Sequence, residues 1–269
     1  MRFKHLWVVA MCGSLALAAC SSNDPSQGSA TQSVGTAPAT ELTVFAASSL
    51  TAAFTQIGSD FEAANPGTTV TFNFGSSSDL AASIGSEGTA DVFASASGTY
   101  LDEVSDDPGV TGRADFVQNE LVVITPPDNP AGITSLEDLA EPGVQVVLAA
   151  EGVPVGDYAR ESLKDAGIEK EVLANVVSNE EDDASVVAKV TSGEADAAIV
   201  YVSDVTNTVA PQVNAVQIPD AVNVIATYPI AVVSSTTHAE AARSFVDYVT
   251  GTDGQATLAD FGFLPPPAA

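Results

Sequence analysis

From residue 41 onward, short apolar runs alternate with amphipathic, helix-length stretches, and this alternation predicts an α/β fold built on mostly parallel sheet flanked by helices. Turn and cap residues fall between the runs, which keeps the two periodicities separate. Hydrophobic residues make up 45% of the 269, enough for a substantial core in one large or two modest domains.

In chain order, the stretch LTVFAASSLT predicts a strand over 42–46 whose two serines lead directly into a helix over 50–64. Asn65-Pro66-Gly67 stops that helix. The same device returns in VTFNFGSSSDL, with a strand over 69–74 and a helix over 78–86. A strand over 91–94, a short helix over 99–104 and a long strand over 116–125 follow. The next segments read as helix 135–140, strand 145–149, helix 155–166 ended by Gly167, and helix 168–174. A strand over 175–177 precedes a helix over 184–192, with Asp183 as its N-cap. Apolar runs give strands over 197–200, 214–217 and 228–233. Helices over 239–250, with Thr237 as N-cap, and 252–261 close the chain.

The first forty residues read differently. Arg2, Lys4 and His5 precede an apolar run over 6–19 that is too short to span a bilayer, the pattern of a signal peptide over 1–19. Leu17-Ala18-Ala19-Cys20 resembles a lipobox, which makes Cys20 the expected lipidation site. Residues 20–40, mostly Ser, Thr, Gly, Ala, Pro and Gln, are expected to form a flexible linker that holds the domain off the cell membrane. Both cysteines, Cys12 and Cys20, lie in this region, so the domain has no disulfide, thiol nucleophile or cysteine metal site. Outside the signal, His238 is the one histidine, read as a solvated side chain.

Formal charge is −27, and removal of Arg2 and Lys4 leaves 35 acidic residues against six basic ones. Such a field excludes nucleic acid and anionic lipid surfaces as partners. No DxDxDG-type loop is present, so no metal cation or cofactor is expected.

Five places combine a strand end with a helix start or a hydroxyl: Ser48-Ser49, Ser76-Ser77-Ser78, Val153-Pro154-Val155-Gly156, Glu181-Asp182-Asp183 and Val200-Tyr201. They supply hydroxyls and main-chain N–H groups at helix amino termini but no cationic side chain. An anion held there is held by neutral dipoles. Taken singly, each also reads as an ordinary cap, loop or packing residue.

Together with ADVFASAS, GEADAAIVYVSD, YPIAVV and the closing GFLP, these segments resemble, in order and across the domain, the molybdate-binding protein of bacterial molybdate ABC importers. The resemblance implies a two-lobed periplasmic-binding-protein fold, each lobe a mostly parallel sheet, with two crossover hinge strands around 121–124 and 229–233. It puts lobe 1 at 41–124 and 229–269, and lobe 2 at 125–228. It implies that Ser49 and Ser77 donate hydroxyl and N–H, Val155 and Asp183 their main-chain N–H, and Tyr201 its hydroxyl.

The implied ligand is molybdate or tungstate, the implied partner a membrane ABC permease, and the implied form an extracytoplasmic, lipid-anchored monomer. Asp183 departs from the apolar residue of some relatives; its carboxylate would repel a dianion, so it is expected to cap the helix or face solvent. A donor-only pocket favours a fully deprotonated oxyanion over phosphate. Sulfate, thiosulfate and phosphate remain as alternative ligands. A serine hydrolase is the enzyme alternative, disfavoured because His238 is the only available base and no G-x-S-x-G motif occurs.

Overall fold

The structure, a computed structural model, describes residues 40–268 except Asn207; the signal peptide, Cys20 and nearly all of the linker expected above lie outside the described residues. Among the described residues ten strands alternate with eight α-helices and short 3₁₀ turns, the α/β alternation that the sequence predicts. The strands are β1 (Thr40–Ala47), β2 (Thr68–Gly75), β3 (Val92–Ala94), β4 (Val110–Asn119), β5 (Leu121–Thr125), β6 (Val146–Ala149), β7 (Val176–Glu180), β8 (Ala197–Tyr201), β9 (Asn214–Gln217) and β10 (Ala226–Val233). The helices are α1 (Thr51–Ala64), α2 (Ser77–Glu87), α3 (Gly98–Asp106), α4 (Pro154–Asp165), α5 (Glu169–Asn175), α6 (Asp183–Thr191), α7 (Ala239–Thr250) and α8 (Thr252–Asp260).

The strands form two five-stranded sheets of matching topology, ordered β2-β1-β3-β10-β4 and β7-β6-β8-β5-β9. In each, three parallel strands are followed by one antiparallel strand, β10 or β5, and then an edge strand. The central strands β3, β5, β6 and β8 are buried along their whole length, as strands covered on both faces must be. Around the first sheet, Phe54 and Phe61 of α1 pack against Phe245 of α7, with ring centroids 6.1 and 5.2 Å apart. Rings at these separations add tilted aromatic contacts to their buried area.

The strand expected over 116–125 is two strands in two sheets. The break is at Glu120: its N–H goes to the Asn119 side-chain carbonyl at 3.1 Å, and its carbonyl accepts Val202 N–H at 2.9 Å. With both backbone groups turned to local partners, the ladder changes sheet. The chain returns to the first sheet through 218–225, where the Asn223 side chain holds both N–H and C=O of Leu121, at 3.0 and 2.9 Å. The apolar run 229–233 therefore lies wholly within the first sheet, after the crossing. The amino-terminal half of β4 escaped the sequence reading because it is a polar edge, with Thr111, Gly112 and Arg113 exposed.

Two expected caps shift by one residue. Asp182, in extended conformation, caps α6 by accepting Ser185 N–H at 2.7 Å, which makes Asp183 the first helical residue. His238, not Thr237, precedes α7. His238 is also no free side chain: its Nδ1 lies 3.3 Å from buried Asp91. The helix expected over 135–140 is a 3₁₀ turn, Glu137–Ala140.

Candidate functional site

Because the three parallel strands of each sheet end at helix starts, the carboxyl ends of both sets converge on one small cavity. Ser49, Ser77, Val155, Asp183 and Tyr201 all line it. Each is at most 5% exposed. Ser49 follows β1, Ser77 opens α2, Val155 opens α4, Asp183 opens α6 and Tyr201 ends β8.

The hydroxyl protons at this cavity are oriented by their neighbours. Asn119 is fully buried; its Oδ1 accepts Glu120 N–H, so its amide nitrogen is the donor to Ser203 Oγ at 2.8 Å and to the Tyr228 hydroxyl at 3.2 Å. Tyr228 in turn lies 2.9 Å from Ser49 Oγ. Either oxygen can donate in this pair; when the phenol donates, the Ser49 proton is left for the cavity. Ser77 Oγ accepts Ala96 N–H at 2.9 Å, which leaves its proton free as well. The Tyr201 hydroxyl is buried beside the Tyr228 phenol and makes no well-formed hydrogen bond. Burial raises both phenols, Tyr201 and Tyr228, well above the usual tyrosine range, so both remain protonated donors.

Main-chain donors complete the set. Pro154 is the first residue of α4 and has no N–H, so the Val155 N–H is the leading free donor of that helix. Ser76 caps α2, its Oγ accepting Asp79 N–H at 3.2 Å, and this leaves Ser77 at the helix mouth. No Lys, Arg or His lines the cavity.

Asp183 departs from expectation. It neither caps α6 nor faces solvent: it is 3% exposed and lines the cavity, and Ser48 donates a hydrogen bond to its carboxylate. Once Asp182 takes the cap, the helical turn aims the next side chain inward. Burial pushes Asp183 up to about 6, and the neighbouring Asp204 is raised well above the carboxylate range by burial and by the Asp183 charge. The main-chain N–H groups of Asp183 and Ala184 face that carboxyl and moderate its rise.

Elements of the two sheets also meet beside the cavity. Tyr100 of α3 donates to the Gly152 carbonyl before α4, and Tyr158 of α4 donates to the Ala96 carbonyl at 3.5 Å. Sequence reasoning missed Tyr228, Asn119 and Asp204. For Tyr228 a signal existed: a phenol in the otherwise apolar run YPIAVV needs a buried partner. Neither serine has a histidine in the cavity to act as base. The arrangement is suited to hold a compact, acceptor-rich anion with neutral donors.

Sequence and structure comparisons agree with one another. The family described as bacterial extracellular solute-binding protein matches residues 42–264. The molybdate-binding protein ModA of Mycobacterium tuberculosis is 41% identical over 251 residues, which cover 93% of each chain. ModA of Escherichia coli is 32% identical over 231 residues, covering 83% of this chain and 88% of that one. The periplasmic molybdate-binding protein of Azotobacter vinelandii superposes with a TM-score of 0.74 over 84% of this chain and 100% of its own, at 19% identity, a likeness of fold.

Proposed function

The chain belongs to the bacterial extracellular solute-binding protein family, and on that premise we propose that it captures molybdate, and with it tungstate, outside the cytoplasm and delivers it to the permease of an ABC importer. The observation that carries the reading is the set of neutral donors on one buried cavity: the Ser49, Ser77 and Tyr201 hydroxyls with the Val155 N–H, beside the helix start at Asp183. Hydrogen bonds to a charged acceptor are worth roughly 1.5–3 kcal/mol each, so several offset the dehydration of a dianion without a buried ion pair. The family is one of binding proteins, not enzymes, and the site contains no activated nucleophile.

In this reading each sheet is the centre of one lobe; the expected boundaries at 124 and 229 move to the sheet crossings at Glu120 and 218–225, so that β5 falls in lobe 2 and all of β10 in lobe 1. The anion binds to one lobe, the lobes close, and the Tyr100–Gly152 and Tyr158–Ala96 contacts form across the cleft. The signal over 1–19 directs export, Cys20 carries the lipid anchor, the linker over 20–40 tethers the domain, and the protein works as a monomer.

A specific observation favours a second reading. The inward carboxyl of Asp183 is the acceptor that the proton of hydrogen phosphate requires. Calorimetric titration with molybdate, tungstate, sulfate and phosphate separates the two. Saturable binding of molybdate and tungstate, with sulfate and phosphate weak or silent, is the expected result. A response to phosphate or sulfate with none to molybdate contradicts the assignment.

A further inference from the structure

A donor cage for a dianion has no evident need of a carboxylate in its wall, yet Asp183 is there, and it is paired. Asp183 is 3% exposed and accepts the Ser48 hydroxyl, while the adjoining Asp204 receives Tyr201 N–H on its Oδ2 at 2.9 Å. Burial raises both carboxyls, and the charge of Asp183 raises Asp204 further. Tyr201 thereby joins the cage to the pair: its hydroxyl opens on the cavity and its N–H holds Asp204.

The surroundings offer the pair no cationic relief. Asp182 at the start of α6 and the phenols of Tyr201 and Tyr228 from β8 and β10 are the titratable groups beside it. The turn after β1 brings only the hydroxyls of Ser48 and Ser49. Under α6, β5 and β6 are apolar but for Thr125, and Glu180 at the end of β7 is taken up by Ser178 at 2.5 Å. Lys189, farther along α6, pairs with Glu194 at 2.7 Å.

Resting on the molybdate reading, we propose that the Asp183–Asp204 pair takes up a proton when the oxyanion enters the cavity, so that the site loads anion and proton together and releases them together. A dianion beside a buried carboxylate is repelled in a low-dielectric site, and protonation removes the repulsion at its source. The protonated Asp183 then presents a hydroxyl to the anion and adds a donor to the cage. The proton comes from solvent. Asp204, half-buried, also lines a larger open pocket that it shares with Ser48 and Ser49, which supplies the route. Opening of the lobes returns the pair to water, where it loses the proton as the anion leaves. No redox or bond-forming step is involved beyond this transfer.

The test is molybdate calorimetry on the purified protein at pH 7, in non-phosphate buffers of different ionisation enthalpy, with affinity followed from pH 6 to 8. Expected is a net uptake approaching one proton per molybdate, with affinity weakening up to about tenfold per pH unit across the upper half of that range. In Asp183→Asn and in Asp204→Asn, the uptake falls away and the affinity becomes flat with pH. Saturable molybdate binding with no proton uptake and no pH dependence in the parent protein overturns the proposal. So does the parent's full uptake persisting in both variants. Silence towards molybdate at every pH instead overturns the functional reading beneath it.

Discussion

Ser77 holds a free proton because Ala96 N–H satisfies its oxygen, and Ser49 does so when the Tyr228 phenol donates to it. Replacing either by Ala removes one charge-assisted hydrogen bond, about 1.5–3 kcal/mol, and should weaken molybdate binding roughly ten- to hundredfold by calorimetry. Tyr228→Phe, which removes no ligand contact, should cost a smaller factor by freeing Ser49 to rotate; an unchanged affinity contradicts its orienting role. Asp183 makes a pH prediction. Its carboxyl titrates at about 6 in the fold against an ordinary 3.8, so the folded state binds more protons between those values. Stability from protonation is complete below that window and is lost as the pH rises through it, on the order of 3 kcal/mol in all. Asp183→Asn should therefore melt above the parent at pH 7.5, with the gap closing near pH 5, in anion-free thermal scans. The serines were legible in the sequence because a strand end followed by a polar helix start is a local pattern. The direction of Asp183 was not, because a one-residue change of cap, from Asp183 to Asp182, turns the side chain from solvent into the cavity. Tyr228 was hidden for another reason: its contact with Ser49 spans 179 positions.

Elements fix where the donors point. The loop from Ala149 to Gly156 is held by Arg160, whose Nη1 donates to the carbonyls of both residues at 2.8 Å and whose Nη2 reaches Asn179 Oδ1 at 2.7 Å. Gly156 fits there because a Cβ would stand 2.4 Å from the Ala150 carbonyl and 2.5 Å from that of Ala149, both backbone atoms. Gly156→Ala should cost about 1–3 kcal/mol through overpacking, seen as a lower melting temperature, and should lower molybdate affinity by displacing the Val155 N–H. A variant with parental affinity contradicts the positioning of α4. At this scale most strands and helices could be read from periodicity alone, since β1, β6, β8 and α7 carry clear apolar runs. The division between β4 and β5 was not readable: the apolar run continues past Glu120, and only the diversion of its two backbone groups to Asn119 and Val202 ends the ladder.

In the whole molecule, two sheets of one topology point their parallel strands' carboxyl ends at each other, and this places donors from five strand ends around one small space. The acidic balance of the chain does not oppose capture, because charge beyond about 8–10 Å is screened at physiological salt. Contacts from Tyr100 and Tyr158 bridge the two halves beside the cavity, so molybdate should lower the radius of gyration in small-angle scattering, and Tyr100→Phe should lessen its hold on the closed form. A scattering profile unchanged by saturating molybdate contradicts closure. This long-range arrangement was reached from the sequence only through the order of several motifs along the chain, since alternation of strands and helices does not say how many sheets they make. The central claim is the uncharged oxyanion cage. Diffraction from crystals of the molybdate complex, recorded on both sides of the molybdenum absorption edge, tests it directly. One anomalous peak enclosed by Ser49, Ser77, Val155, Asp183 and Tyr201 is expected; a peak elsewhere, or none in crystals grown at saturating molybdate, rules the cage out.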